Sequence, residues 1–180
     1  MRKALLLLII TGMLLVSGCA SNEDQENTIV QEGDLISVNY IGQLEDGTIF
    51  DTSLEDVAKE AGQHNPARGY EPLEFTVGAG QMIAGFDAGV VGMTVGEEKT
   101  VIIPAAEAYG EYDEELVQPV PRTQLKEMGI EPEVGMPLFT QYGQVTIVRM
   151  DETNAYVDYN HHLAGETLTF KITLVSIGQD

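Results

Sequence analysis

The chain has 180 residues, enough for one domain with an insertion or for two small ones, and carries 29 Asp and Glu against 9 Lys and Arg, a formal charge of −20. That balance argues against nucleic acid and anionic lipid as electrostatic partners. Cys19 is the only cysteine, so no disulfide can form within the chain and the fold has to rest on its core. At the N-terminus Arg2 and Lys3 precede an apolar run of 13 residues, Ala4 to Val16, too short for the roughly 20 residues that span a bilayer.

Val16-Ser17-Gly18-Cys19 places small residues directly before that cysteine. The arrangement resembles the lipobox of prokaryotic lipoproteins, in which the cysteine is acylated and becomes the new N-terminus. The alternative is an ordinary secretory signal with an incidental cysteine. The resemblance implies a signal peptide over 1–18, lipidation at Cys19, and a protein anchored in the cell membrane and facing its extracytoplasmic side. Removal of 1–18 takes away Arg2 and Lys3 and no acid, leaving 7 basic and 29 acidic residues and a charge of −22. Residues 19–31 then read as a flexible tether, polar, acidic and without periodicity.

Asp34 to Leu44 is the first strand, with Ile36, Val38 and Tyr40 alternating on one face. Glu45-Asp46-Gly47-Thr48 is a hairpin turn and Ile49-Phe50-Asp51 resumes the strand. Thr52 or Ser53 can cap a short helix, Leu54 to Ala61, ended by Gly62. A loop with Pro66 and Gly69 leads to a strand through Leu73, Phe75 and Val77. In the segment 81–93, Ile83, Phe86 and Val90 share one helical face. Its glycines are tolerable if the helix lies tightly against a sheet. Thr100 to Ile103 is a β-branched strand closed by Pro104, which lacks an N–H. Ala105 to Ala108 is one helical turn, and Gly110 lets the chain reverse. Tyr109 thus stands at a strand–turn edge where a side chain can face a cavity; the plainer alternative is a core tyrosine.

Leu168, Phe170, Ile172 and Leu174 alternate with polar residues as a half-buried strand. Such a strand needs a sheet to join, and the candidate is the set before residue 110. The expected organisation is therefore a parent domain over 32–110 and 161–180 with an insertion at 111–160. Within the insertion, Val117 to Val120, Pro137 to Thr140, Val145 to Met150 and Ala155 to Tyr159 read as strands. Pro121 to Met128 reads as a helical turn ended by Gly129.

Several motifs in order now match one family. Val38-Asn39-Tyr40-Ile41-Gly42, Asp46-Gly47-Thr48-Ile49-Phe50-Asp51, Gly78, Met82-Ile83-Ala84-Gly85-Phe86, Val95-Gly96-Glu97 and Ala108-Tyr109-Gly110 resemble the FKBP-type peptidyl-prolyl isomerases. The resemblance runs from about Gly33 to Gly110 and resumes over Leu163 to Ile177. It implies an α+β fold, an FKBP-like antiparallel half-barrel sheet wrapped on a short helix. The insertion, with Tyr112-Asp113-Glu114, Asn160-His161 and Leu163-Ala164-Gly165, is similar to the small, mainly-β insert-in-flap domain of SlyD-like members. The loop with Asn65-Pro66-Ala67 is similar to that of archaeal members of the group.

The family's proline pocket, carried over residue by residue, would be lined by Tyr40, Phe50, Asp51, Leu73, Met82, Ile83, Phe86, Tyr109 and Phe170. Leu73 stands where many members have an aromatic, and Phe86 where many have tryptophan. The basic residue that many members carry shortly after the aspartate is missing, so the ion pair it would make with Asp51 is expected to be missing too. The reaction implied is rotation about X–Pro bonds, with Tyr40, Asp51 and Tyr109 in catalytic roles and no cofactor. A dry aromatic cleft suits the less polar twisted amide. Tyr109 could donate its hydroxyl to the substrate carbonyl. Asp51 could meet the twisted carbonyl carbon or hold Tyr40 in place; the second is preferred, because an unpaired buried carboxylate is costly. Without the resemblance, Asp51 is equally a turn or capping residue and the phenylalanines are plain core.

SlyD-like inserts bind unfolded chain, which makes Val120, Leu125, Met136, Phe139, Val145, Val157 and Tyr159 candidate client-binding residues, about half of them core. An exposed strand edge there would capture peptide by β-augmentation. The implied partners are unfolded or proline-containing polypeptides, and the membrane through Cys19; nucleic acid is excluded by charge. The competing reading is a non-catalytic holdase or peptide-binding scaffold. No metal is expected: the histidines are His64, His161 and His162, and adjacent histidines in a strand point apart.

Overall fold

The computed structural model describes residues 29–141 and 143–178; the expected signal peptide, Cys19 and the tether up to residue 28 lie outside them. Strand β1 (Leu35–Gln43) buries Ile36, Val38 and Tyr40 on one face, the period-2 pattern of its sequence. Gly47, at φ +85°, makes the following reversal possible, and Asp46 Oδ1 accepts from the Thr48 N–H at 2.8 Å. After β2 (Ile49–Thr52) and α1 (Glu55–Glu60) come β3 (Leu73–Thr76), α2 (Ala84–Val90) and β4 (Glu98–Ile103). The strand expected at 168–174 runs further, as β9 (Leu168–Gly178).

These strands form one antiparallel sheet in the order β2-β1-β9-β4, with β3 also paired to β1. β9 pairs along the whole of β1, and an extra residue near Val175 shifts the register between Ser37 and Val38. That bulge lets β9 continue past the end of the expected alternation. The helix expected over 81–93 is shorter, because Gly92 at φ +82° turns the chain after Val90. α2 does lie tightly on the sheet: a Cβ at Gly85 would stand 2.4 Å from Ile103 Cγ2. Lys99 Nζ donates to the Gly89 carbonyl at 2.7 Å, satisfying an acceptor near the end of α2.

Two local expectations change. Thr52 and Ser53 are buried and serve β1 more than α1: the Thr52 hydroxyl donates to the Tyr40 carbonyl at 2.7 Å, and Ser53 Oγ accepts from the Tyr40 N–H at 3.0 Å. Thr52 Oγ1 also accepts from the Leu54 N–H at 3.1 Å, but Leu54 itself is the cap and has no side-chain bond to offer. The end of the expected tether is part of the fold. Ile29 bridges Thr94, and Val30, 1% exposed, joins the core and exchanges 2.9 Å hydrogen bonds with Met93 and Gly92.

Residues 117–158 form a second antiparallel sheet: β5 (Val117–Pro121), β6 (Pro137–Thr140), β7 (Gly143–Met150) and β8 (Asn154–Asp158), in the order β5-β8-β7-β6, with α3 (Arg122–Glu127). The two connecting segments are laced together. Gly165 N–H donates to the Gly110 carbonyl at 2.9 Å, and Asn160 pairs through its amide with both backbone groups of Asp113, at 3.0 and 2.8 Å. The architecture is α+β, with antiparallel sheets and few helices.

Candidate active site

The first sheet and α2 carry an aromatic nest between them. Phe86, from α2, and Phe170, from β9, meet edge to face at 5.0 Å; Phe170 meets Phe50 the same way at 5.6 Å, and Tyr40 meets Phe86 at 6.1 Å. Gly42 leaves room for this arrangement, since a Cβ there would come within 2.7 Å of the Phe50 ring. The nest is one wall of a cavity of about 550 Å³. All the pocket residues expected from sequence line it: Tyr40, Phe50, Asp51, Leu73, Met82, Ile83, Phe86, Tyr109 and Phe170, joined by Gln81, Ala84 and Ala108. The β-strands supply the back, the N-terminal end of α2 a side, and the turn after β4 the rim.

At the polar end, the Tyr40 hydroxyl donates to Asp51 Oδ2 at 2.7 Å. Asp51 Oδ1 accepts from the Thr52 N–H at 2.9 Å. No basic residue follows shortly after Asp51, as expected, but Asp51 still has an ion pair, supplied from elsewhere in the chain. Arg68, from the loop before β3, pairs with Asp51 Oδ1 through Nη1 and donates through Nη2 to the Tyr40 oxygen at 3.0 Å. The guanidinium fork thus closes a triangle with Tyr40 and Asp51. Burial, then the hydrogen bond to the Asp51 carboxylate, pushes the Tyr40 hydroxyl up to about 12, so it is a neutral donor at ordinary pH. Sequence reasoning missed Arg68 because it lies 17 residues from Asp51. The usable signal was that Arg68 is the only Lys or Arg between Lys59 and Lys99 in a strongly acidic chain.

Tyr109 is half exposed at the rim, on the turn where Gly110 takes φ +87° and donates to the Ala105 carbonyl at 2.8 Å. Its ring stacks on His161 at 3.9 Å and 9°. Burial and the Asp51 charge push its hydroxyl up as well. His161 Nδ1 accepts from the Leu163 N–H at 3.2 Å, and burial together with the His162 charge pushes its pKa down. The two histidines do not point apart as expected. They sit in a turn, not a strand, and their rings lie 4.4 Å apart. Among the described residues no group of three or more His, Cys, Asp or Glu gathers as a metal site.

The candidate client-binding residues divide. Leu125, Val145 and Val157 are buried, with Ile147 and Ala155, as the core of the second sheet, and Val120 and Met136 pack partly buried against it. The three buried ones, Leu125, Val145 and Val157, are taken up by that core, because so small a unit consumes most of its apolar side chains to hold itself together, while Val120 and Met136 keep part of their surface. Phe139, 82% exposed, and Tyr159, 41% exposed, remain available. Met128 and Val134 are also exposed and were not anticipated.

A family model for FKBP-type peptidyl-prolyl cis-trans isomerase matches residues 26–175. The chain belongs to this family. The isomerase is 42% identical over 144 residues to a short-type peptidyl-prolyl cis-trans isomerase of Methanocaldococcus jannaschii, covering 80% of this chain and 91% of that one. It is 34% identical over 148 residues to the FKBP-type isomerase SlyD of Escherichia coli, covering 79% of this chain and 67% of SlyD. With SlyD of Helicobacter pylori it shares 43% identity over 110 residues, 58% of each chain. The aromatic cavity is therefore described in an FKBP-type enzyme, whose reaction is rotation about peptidyl-prolyl bonds.

Proposed function

We propose that the isomerase seats the proline ring of its substrate against Phe50, Phe86 and Phe170 and works on extracytoplasmic proteins during folding. The planar amide resists rotation with a barrier of about 18–20 kcal/mol, because twisting breaks resonance. At the top of the barrier the carbonyl has lost charge and the nitrogen has become pyramidal. A cleft walled by aromatic and aliphatic groups favours that less polar state over the planar one. Tyr109 at the rim donates its hydroxyl to the substrate carbonyl. Tyr40 presents its ring, held by the Asp51 carboxylate. Asp51 is a positioning residue in this account, since its oxygens are engaged by Tyr40, Thr52 and Arg68. Leu73, Met82 and Ile83 enclose the ring.

The observation that carries this reading is the convergence of those side chains on a single cavity. Its test is a protease-coupled assay on proline tetrapeptides. Acceleration by the intact protein, reduced at least about tenfold by Phe86→Ala and severalfold by Tyr109→Phe, is expected. No acceleration by the folded wild type would overturn it.

Two further parts of the proposal concern the rest of the chain. The inserted unit holds unfolded polypeptide, supported by the exposure of Phe139, Tyr159, Met128 and Val134. The anchor is a lipid on Cys19, supported by Val16-Ser17-Gly18 before it. Cys19→Ser should release the protein from the membrane fraction or leave its signal uncleaved; unchanged anchoring would exclude the lipid. A holdase without isomerase activity is the second reading, favoured by the same exposed Phe139. Suppression of aggregation of a proline-free client, with no turnover of proline peptides, would select it.

A further inference from the structure

A second cavity, of about 580 Å³, opens beside the proline pocket. Gln144 and Thr146 of β7 line it, together with His161, His162 and Glu166 of the segment returning to the first sheet, and Tyr112 of the outgoing segment. The two cavities share a partition. Tyr109 lines the first and His161 the second, and the two rings are stacked face to face at 3.9 Å. An extended chain advances about 3.3–3.6 Å per residue, so a polypeptide leaving the proline pocket over the Tyr109 rim crosses this stacked pair within a few residues.

We propose that this second cavity is a subsite for the extended stretch of substrate that flanks the target proline. The inference rests on the proline pocket being where the proline is seated. The lining differs in kind from that pocket. It offers the hydroxyls of Tyr112 and Thr146, the amides of Gln144 and Asn160, two imidazoles and the carboxylates of Asp158 and Glu166 in place of phenylalanines. The Tyr112 hydroxyl donates to Asp158 Oδ2 at 3.0 Å, which leaves its oxygen able to accept. His161 accepts at Nδ1 from the Leu163 N–H, so the neutral ring carries its proton on Nε2, as a donor. The side chains of Gln144 and Thr146 make no hydrogen bond among the described residues. Every residue of an extended substrate brings one N–H and one carbonyl, except proline, which lacks the N–H. Mixed donors and acceptors of this kind bind the main chain with little regard for the side chains. The subsite therefore grips many sequences, while the aromatic pocket selects the proline. It also differs from the exposed apolar residues of the insert, since Phe139 and Met128 are not among its lining.

The test compares two blocked peptides with the same X-Pro-Phe centre: a tetrapeptide, and a dodecapeptide extended on both sides by Ser, Gly and Thr. Using the intact protein, the dodecapeptide is expected to show a kcat/KM about tenfold higher, through KM. Gln144→Trp and Thr146→Trp, which fill the cavity from the β7 side, should bring the ratio of long to short towards one. A binding readout is independent of turnover: the dodecapeptide, and not the tetrapeptide, should shift the Gln144 and Thr146 amide resonances. Amide shifts confined to the surroundings of Phe139, or a length advantage undiminished in folded tryptophan variants, would overturn the subsite. Loss of tetrapeptide turnover in the wild type, with the Gln144 and Thr146 shifts retained, would count against the proline-pocket mechanism and leave the subsite standing.

Discussion

The two sheets spend similar side chains in different ways. The first encloses a core that includes Val38, Phe75, Val90, Met93, Ile103 and Leu174, and the partly buried Phe50, Leu73, Met82 and Ile83 pack against it. Those partly buried residues line the cavity. The second sheet has a core of Leu125, Val145, Ile147, Ala155 and Val157. Small units bury a smaller fraction of their surface. A large core can therefore hold apolar groups at the edge of a pocket, whereas a small one draws most of them inside. Apolar residues in a small insert are evidence of a core first and of a binding surface second.

The largest effects should come from breaking the first core. Phe86, 2% exposed and ringed by Tyr40, Phe75 and Phe170, should cost about 3–5 kcal/mol of stability as Phe86→Ala, measured by denaturant unfolding. Ile147→Ala removes an equally buried side chain from the second sheet. It should speed amide exchange over β6, β7 and β8 and leave β1 and β9 protected. Equal loss of protection in both sheets would refute their independence.

Next in size is a pH effect at the pocket. The Tyr40 hydroxyl is raised from 10.0 to about 12 in the fold. Folding thus favours its neutral form, so this contribution is complete below pH 10 and is lost as pH rises through 10 to 12. The loss is about 2 kcal/mol, and Tyr40→Phe should remove this part of the alkaline slope. Arg68→Ala should change stability by less than about 1 kcal/mol, since the pair with Asp51 is part-exposed. It should nonetheless raise the Tyr40 pKa further, because Arg68 lowers it, and reduce peptide turnover severalfold by freeing Asp51. Arg68→Lys keeps the charge without the fork and should recover only part.

The smallest effect lies at the junction. His161 is depressed by burial and by His162, so folding favours its neutral form. Its contribution is complete above the ordinary histidine range and is lost as pH falls through its folded pKa. Histidine resonances followed by NMR should show His161 titrating below the ordinary histidine range, and His161→Phe should flatten the acid slope slightly.

The proline pocket was legible because its residues sit in short local motifs. Tyr40, Phe50 and Asp51 flank one hairpin, Met82 to Phe86 open one helix, and Tyr109 follows one strand. Arg68 was not legible, since its contact depends on how the loop over 61–72 folds back, and no local periodicity encodes that. Val30 was hidden for a related reason: two adjacent apolar residues, Ile29 and Val30, at the end of an acidic stretch show no period, and the burial of Val30 goes with the Ile29 bridge to Thr94 and its own hydrogen bonds with Met93 and Gly92. In the insert the strands were legible as short extended runs between turn residues such as Asp151-Glu152-Thr153-Asn154. The fate of each side chain was not, because residue type alone does not separate Val145, in the core, from Phe139, in solvent.

The central claim is that the pocket performs the rotation and the inserted unit supplies the grip on long substrates. The most direct measurement replaces residues 113–158 by a short glycine-containing loop, in a variant shown to be folded, and compares two substrates. A refolding protein limited by proline isomerisation should lose at least about tenfold in kcat/KM, roughly 1.4 kcal/mol of interaction, because the insert no longer holds the client near the pocket. A proline tetrapeptide should lose far less. Equal losses on the two substrates would contradict the division of labour.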